Sequence, residues 1–286
     1  MVEKEALQEG LALLRQPVLP LVSILQFVYL TGDFASVAAV IAELPAEIET
    51  GYARYPDAAA ILAPYHDLLQ PLTDLKHGRP LPERVIDSDG HPLDAMSATT
   101  ALVTQSILAR ELERINSLLC APCGCTLCCV GPAQEMTQAW FEIPLQPDET
   151  AVFPLERIDS SASRSRRVGD DPPLQVEGRD FYDRTEPVLI RWQPGWSLIL
   201  PKASRCPNLE TSGRCRVYTD RPQVCRRPQI FPYVVEPVED QGQPALRLRQ
   251  SLLAVVDCPY VRLLQEEISA YAAACELEMI FRHNKA

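Results

Sequence analysis

Glycine motifs are the first thing this chain lacks. Its 286 residues include twelve glycines, and no two of them stand as G-x-G. That excludes both a dinucleotide-binding fingerprint and a phosphate-binding loop. G-x-S-x-G and H-E-x-x-H are missing too, which removes the hydrolase nucleophile elbow and the helical zinc-protease motif. Basic charge is scarce: 27 lysines and arginines face 38 carboxylates, a formal charge of −11. Nucleic acid is therefore not expected as a partner, because phosphate binding needs a basic face. A membrane is not expected either. The longest apolar run, from Val18 to Leu30, is broken by Pro20, Ser23 and Gln26 and falls short of the roughly 20 residues that span a bilayer. The start, MVEKEALQEG, is acidic where a signal peptide is basic, so the cytoplasm is the expected compartment. A protein partner stays open. The four histidines, His66, His77, His91 and His283, lie away from the cysteines in sequence and read as ordinary polar residues. His91, in DSDGHPLD, lacks the full calcium-loop pattern.

Cysteine is what the chain does have. Five of the ten fall in one run, CAPCGCTLCC, as Cys120, Cys123, Cys125, Cys128 and Cys129. Cys206, Cys215 and Cys225 follow at near-even intervals, and Cys258 stands in Asp257-Cys258-Pro259. Disulfides staple short secreted chains, whereas thiols in the cytosol stay reduced unless metallated or catalytic. A chain this long can bury a core without staples. Thiols converging from distant segments suit a soft, thiolate-preferring metal. These nine cysteines are the expected metal ligands, for an iron–sulfur cluster or zinc. Cys258 sits at the start of a helix, where the dipole favours a thiolate. Cys275 sits within an apolar helical stripe and reads as core. Residues 205–227 hold six arginines against Glu210 and Asp220, and guanidinium groups beside thiolates stabilise them.

The pattern predicts an α+β chain with a helical N-terminal region over residues 1–95. A cysteine-cluster metal-binding domain over 96–286 follows, built of short antiparallel strands and a C-terminal helix. Helical stripes run through Leu21, Ile24, Leu25 and Val28, through Val37, Val40, Ile41 and Leu44, and through Ile61, Leu62, Tyr65, Leu68, Leu69 and Leu72. A long helix from near Ser97 presents Leu108, Leu112, Ile115 and Leu119 on one face and delivers the chain to Cys120. Pro122 and Gly124 are expected to stop it. Strands are predicted in 137–145, 186–192, 196–201, 232–238 and 245–256, with a hairpin turn at Gln193-Pro194-Gly195. The polar stretch from Ile158 to Asp183 reads as a solvated loop. A final helix, capped by Asp257 with Pro259 in its first turn, carries Val261, Leu264, Ile268, Tyr271, Cys275 and Met279.

The second cysteine region runs Cys206-Pro207-Asn208-Leu209, then Gly213-Arg214-Cys215-Arg216-Val217-Tyr218, then Arg221-Pro222-Gln223-Val224-Cys225-Arg226. It resembles the YkgJ-type cysteine-cluster family of zinc- or iron-chelating domains. The signature of that family is CxxCxxCC, then C-P-x-L, then G-x-C-x-I/V-Y-x-x-R-P-x-x-C-R. The downstream half matches position by position. The upstream half has two extra residues before the final cysteine pair, so either Cys120 and Cys123 are the first pair around a larger loop or Cys125 replaces one of them. The resemblance covers roughly residues 115–260. It implies a metal-binding domain, and flagellin lysine methylases, similar in the same cysteine pattern, are associated with a 4Fe–4S cluster. It also implies that Tyr218 and Pro222 shape a tight turn, with Arg221 bonding sulfur or nearby backbone.

Three functions follow as expectations. One is an iron–sulfur protein in a redox, cluster-handling or modification-support role. The second is a structural zinc domain. The third is a protein-modifying, methyltransferase-like enzyme, weakened by the missing glycine-rich loop.

Overall fold

The computed structural model describes residues 3–227 and 229–283. Helices α1 (Gln8–Leu14), α2 (Leu19–Thr31), α3 (Val37–Glu43), α4 (Ala58–Leu62), α5 (Gln70–Lys76) and α6 (Ala95–Cys123) come first. Between them lie strands β1 (Ile48–Glu49), β2 (Arg54–Tyr55) and β3 (Val85–Ile86). The middle of the chain carries β4 (Trp140–Leu145), β5 (Arg157–Ile158), α7 (Ser161–Arg164), β6 (Gln175–Val176), β7 (Arg179–Asp180), β8 (Val188–Arg191), β9 (Trp196–Pro201) and α8 (Gln223–Arg226). The last part holds β10 (Ile230–Asp240), β11 (Gln243–Val255), α9 (Pro259–Leu263), α10 (Gln265–Ala274) and β12 (Glu278–Arg282).

Two compact units result, and their boundaries correct the expected arrangement. One unit joins the residues up to Cys123 with those from Gln229 onward; the other is the stretch between, beginning at Gly124. The class is α+β, but the chain is not a helical N-terminal bundle followed by one cysteine-rich domain, and no boundary falls at residue 95. The N-terminal helices share their unit with the longest strands, and the six cysteines from Cys125 to Cys225 lie in an insertion. The last element among the described residues is a strand, β12, rather than a helix.

In the first unit, α6 is the central element. Asp94 starts it, accepting bonds from the Ser97 backbone N–H at 3.0 Å and from Ser97 Oγ at 2.7 Å. This is capping by a short carboxylate. One face of α6 packs on α1 and α5, another on β10. The sheet runs β10-β11-β12, with β3 beside β11. The pair β10–β11 is antiparallel, and β12 returns parallel to β11 after α9 and α10. Pro232 and Pro237 are tolerated in β10 because it is an edge strand. A register shift lies between Tyr233 and Val235. There Gln105 of α6 accepts from the N–H groups of Val234 (2.9 Å) and Val235 (3.3 Å).

The apolar N-terminal stretch Lys4–Thr31 is long enough and apolar enough to resemble a membrane span. It bends at Gln16–Val18, and Leu11, Leu14, Leu21, Val22, Leu25 and Tyr29 are buried. The stripe from Ile61 to Leu72 is also interrupted. Residues 63–69 form a 3-10 turn between α4 and α5, since Pro64 and Pro71 cannot donate to a continuous helical ladder. Tyr65, Leu69 and Leu72 are nonetheless buried. The C-terminal helix departs further from expectation. It breaks at Leu264 and ends at Ala274, so Met279 lies in β12, paired with Leu252.

Asn116 ties three elements of this unit together. Its Nδ2 donates to the Ile230 carbonyl at 2.6 Å, while Oδ1 accepts from the Ile230 N–H at 3.2 Å and the Tyr260 hydroxyl at 2.7 Å. It is fully buried. Asn116→Ala should therefore remove three buried hydrogen bonds and cost about 3 kcal/mol of stability. Chemical denaturation checks this; a loss under about 0.5 kcal/mol, the size of a surface change, would contradict it.

In the second unit the sheet order is β4-β9-β8-β5. Its strands alternate between two apolar layers. Val188, Ile190 and Ile199 pack with Leu174, Phe181 and Trp192 on one face, and Leu189, Leu198 and Leu200 pack with Leu145 and Phe153 on the other. Both faces are covered, which is why β8 and β9 read as unbroken apolar runs. The expected solvated loop from Ile158 to Asp183 is corrected by the same packing. Its Leu174 and Phe181 anchor it in the core, and β6 and β7 pair within it.

Candidate metal centre

The cysteine segments of the second unit meet at the end of β9. After Pro201 the chain runs antiparallel to the segment just past Cys129. Cys206 N–H donates to the Cys129 carbonyl (2.8 Å), Gly131 N–H to Ser204 (2.9 Å) and Ala203 N–H to Pro132 (2.8 Å), with Val130 opposite Arg205. This ladder fixes the Cys128-Cys129 pair beside Cys206. A glycine is required at 131, because a Cβ there would lie 1.9 Å from the Pro201 carbonyl oxygen.

Downstream, the residues after Cys206 fold back on themselves. Leu209 pairs with Cys215, the Arg216 N–H donates to Asn208 (2.8 Å) and the Glu210 N–H to Arg214 (2.8 Å). Asn208 is buried, its side chain donating to the Val152 carbonyl at 2.9 Å. The tip of this loop approaches the first cysteine run, for a Cβ on Gly213 would lie 3.5 Å from the Gly124 carbonyl oxygen and 3.8 Å from Thr126 Cγ2. Gly124 itself has φ +61°, a left-handed conformation that ends α6 and turns the chain into Cys125.

The turn from Tyr218 to Cys225 is clamped by Arg221. Its guanidinium is buried, stacks 3.6 Å above the Tyr218 ring centroid, and donates to the Tyr218 carbonyl at 2.9 Å and the Cys225 carbonyl at 3.4 Å. Pro222 precedes α8, and the Cys225 N–H closes on the Pro222 carbonyl at 2.9 Å. On its other side α8 is held by Glu149, which accepts from the Gln223 N–H at 2.6 Å.

Electrostatics shows what this arrangement demands. Burial pushes the Cys206 thiol up, partly offset by the Asn208 N–H, while the charge of Cys215 adds to the rise and the Leu209 N–H opposes it. Burial likewise pushes Cys225 up to about 12, with Cys206, Cys215 and Glu149 adding to the rise and Arg221 opposing it. The three thiols are thus near enough for each anion to disfavour the next. Burial and neighbouring charge thus disfavour the Cys206 and Cys225 thiolates; a metal bound there would reverse that balance and release their protons. Thiol donors are the chemistry that a thiophilic metal takes. The Asn208 N–H that opposes the rise at Cys206 is the kind of outer hydrogen bond that orients such a ligand, while the Leu209 N–H closes the turn on the Cys206 carbonyl at 3.0 Å.

Cys206, Cys215 and Cys225 thus lie near enough to feel one another's charge, the Cys129 backbone carbonyl is bonded to the Cys206 N–H, and the Cys125 loop lies against Gly213. Cys128 is exposed, and Cys125, Cys129, Cys206, Cys215 and Cys225 are partly buried. Cys120 and Cys123 lie in the last turn of α6, and the buried Cys258 is the N-cap of α9. All three belong to the first unit, where the Asn116–Tyr260 bond holds α9 against α6. Cys275 is buried, as expected of a core residue. No disulfide joins any of the ten.

Glu149, Asn208 and Gly131 escaped the sequence reading. The Gly131-Pro132 pair just after Cys129 was the one visible signal. The structure also groups Asp87, Asp89 and His91 within 4.8 Å of one another on the surface. Turn geometry accounts for this group, since Asp87 Oδ1 accepts from the N–H groups of Asp89 (2.9 Å) and His91 (2.8 Å). Compared with family models, curated proteins and solved structures, the chain matches none.

Proposed function

We propose that the second unit is a metal-binding module whose thiolate-ligated centre is an iron–sulfur cluster, serving a redox, cluster-handling or modification-support role. The observation that carries the reading is the proximity of Cys206, Cys215 and Cys225, where burial raises the Cys206 and Cys225 thiols and a bound cation would offset that rise. Cys129 is tied to the same site through the Cys206 N–H. The resemblance of residues 206–226 to the YkgJ-type cluster family supports it, and the association of the similar flagellin methylases with a 4Fe–4S cluster favours iron over zinc. Hydrogen bonds to the ligand sulfurs are a lever on cluster potential, and the Asn208 N–H beside Cys206 is such a donor. Reduced thiols of this kind suit the cytoplasm.

Zinc is the second reading, favoured by the burial of the same thiols, since a closed four-coordinate site needs no solvent-facing ligand. Anaerobic purification decides between the two. Brown protein that dithionite bleaches, with iron and acid-labile sulfide in equal amounts, is the expected result. Colourless protein with stoichiometric zinc overturns the iron–sulfur reading and leaves the zinc one. Protein that takes up neither metal overturns both.

A further inference from the structure

The sheet of the second unit carries a basic patch that the metal centre does not use. Arg157 of β5 lies opposite Leu189 of β8, and Arg191, two residues further along β8, lies opposite Trp196 of β9. Alternation along the strands puts Arg157, Leu189, Arg191 and Trp196 on one face. Trp196 packs there against the cluster that holds Leu189 and Leu198, and it is half-buried. The Arg191 guanidinium lies 5.8 Å from the centroid of the Trp196 ring, and that of Arg157 lies 5.9 Å from it. Both distances fall where a ring face attracts a cation. Arg157 also donates to the Thr150 carbonyl at 3.4 Å.

The chain holds 38 carboxylates against 27 lysines and arginines, yet these two cations are left without one. Neighbouring arginines are paired: Arg164 donates to the two Asp159 oxygens at 2.6 and 2.9 Å, and Arg184 is paired with Glu156. Among the described residues neither Arg157 nor Arg191 forms an ion pair. The Arg191 charge is felt at Asp159, but Arg164 is the group that carboxylate bonds. Two like charges beside one ring repel each other, and an anion from outside would relieve that. Guanidinium groups laid on an aromatic ring are already oriented, so less freedom is lost when they grip an oxyanion. Their planar fork matches phosphate oxygens in pairs.

We propose that Arg157, Arg191 and Trp196 form a binding site for a phosphate monoester with an apolar carrier. Two guanidinium charges match the dianion of a monoester, whose second pKa is about 6; a diester or a carboxylate brings only one charge. The exposed part of the Trp196 ring supplies an apolar wall for the group that bears the phosphate. Trp196 opens β9, whereas the cysteine ladder starts after Pro201 at the other end of that strand. The site therefore stands on its own residues and needs no metal.

Titration of phenyl phosphate into the full-length protein, followed by tryptophan fluorescence and by calorimetry, tests the proposal. The wild type should give a saturable fluorescence change, because the ligand draws the guanidinium groups off the Trp196 ring. Trp196→Phe should remove that change. Arg157→Gln and Arg191→Gln should each weaken the calorimetric affinity about 10–100-fold, the size of a lost hydrogen bond to a charged group. Diphenyl phosphate, a monoanion, and inorganic phosphate, which has no carrier, should both bind more weakly than phenyl phosphate. Sulfate or inorganic phosphate binding as tightly as phenyl phosphate would show an unselective anion site and overturn the assignment. So would equal binding of diphenyl phosphate, or affinity unchanged in both arginine variants. A wild type that gives neither heat nor fluorescence change at millimolar phenyl phosphate overturns the proposal whatever the variants do.

Discussion

Cys225→Ser should empty the metal centre and open the second unit to protease while the first unit stays folded. The charges of Cys206, Cys215 and Glu149 all bear on this side chain, and burial holds its thiol up to about 12. A serine there is a poor ligand for a soft metal. Its loss should lower metal affinity at least a hundredfold, since even outer-layer substitutions cost 10–100-fold. Binding free energy is folding free energy when ligands come from distant segments, and Cys129, Cys206, Cys215 and Cys225 span almost the whole second unit. Limited proteolysis should therefore cut first within 203–227, where the chain has few regular elements of its own. Fragments ending near Cys123 and beginning near Gln229 should persist, because β10 and β11 belong to the same unit as α6. Cys275→Ala is the control: it truncates the first unit's core and should leave metal content unchanged. If Cys225→Ser keeps its metal, or resists cleavage as the wild type does, the thiols are not a structural centre.

Part of this was legible in the residues. The strands β8 and β9, the hairpin at Pro194-Gly195 and the long helix running into Cys120 all follow from local pattern, because each is set by residues within one element. The turn from Tyr218 to Pro222 with its Arg221 clamp, which the family resemblance implied, also follows from local chemistry. A proline after one cysteine, a glycine before the next and an arginine before Pro222 are short-range constraints. Chain order hid the rest. Nothing in β10 states that it packs on α6 rather than on β9, because an apolar face does not name its partner. The final helix failed for a different reason. Its stripe continues in period to Met279, yet the chain turns at Glu276, with φ +57°, and the Leu277 N–H closes on the Ala272 carbonyl. Such a stop normally carries glycine or asparagine, and glutamate gave no warning. In the 158–183 stretch, polar composition masked Leu174 and Phe181, two residues sufficient to dock it.

Gly131→Ala should disable the centre without touching a thiol. A methyl group at this position would sit 1.9 Å from the Pro201 carbonyl oxygen and 3.0 Å from that of Leu200. Both obstacles are backbone at the end of β9, so no side-chain rotation relieves them, and the segment 129–132 has to move. That movement breaks the bonds from Gly131 to Ser204, from Cys206 to Cys129 and from Ala203 to Pro132. At about 1 kcal/mol for each bond, with a further penalty for any group left buried and unpaired, the loss is on the order of 3–5 kcal/mol. It falls on the ladder that sets Cys129 beside Cys206, so metal content should drop along with stability of the second unit. Gly169→Ala is the matched control, for a Cβ there meets nothing within 4 Å and its φ is not left-handed. It should bind metal as the wild type does. A Gly131→Ala protein with full metal content and wild-type denaturation would mean that the ladder does not hold the thiols in register. The convergence of Cys129 with Cys206 would then rest on the metal alone.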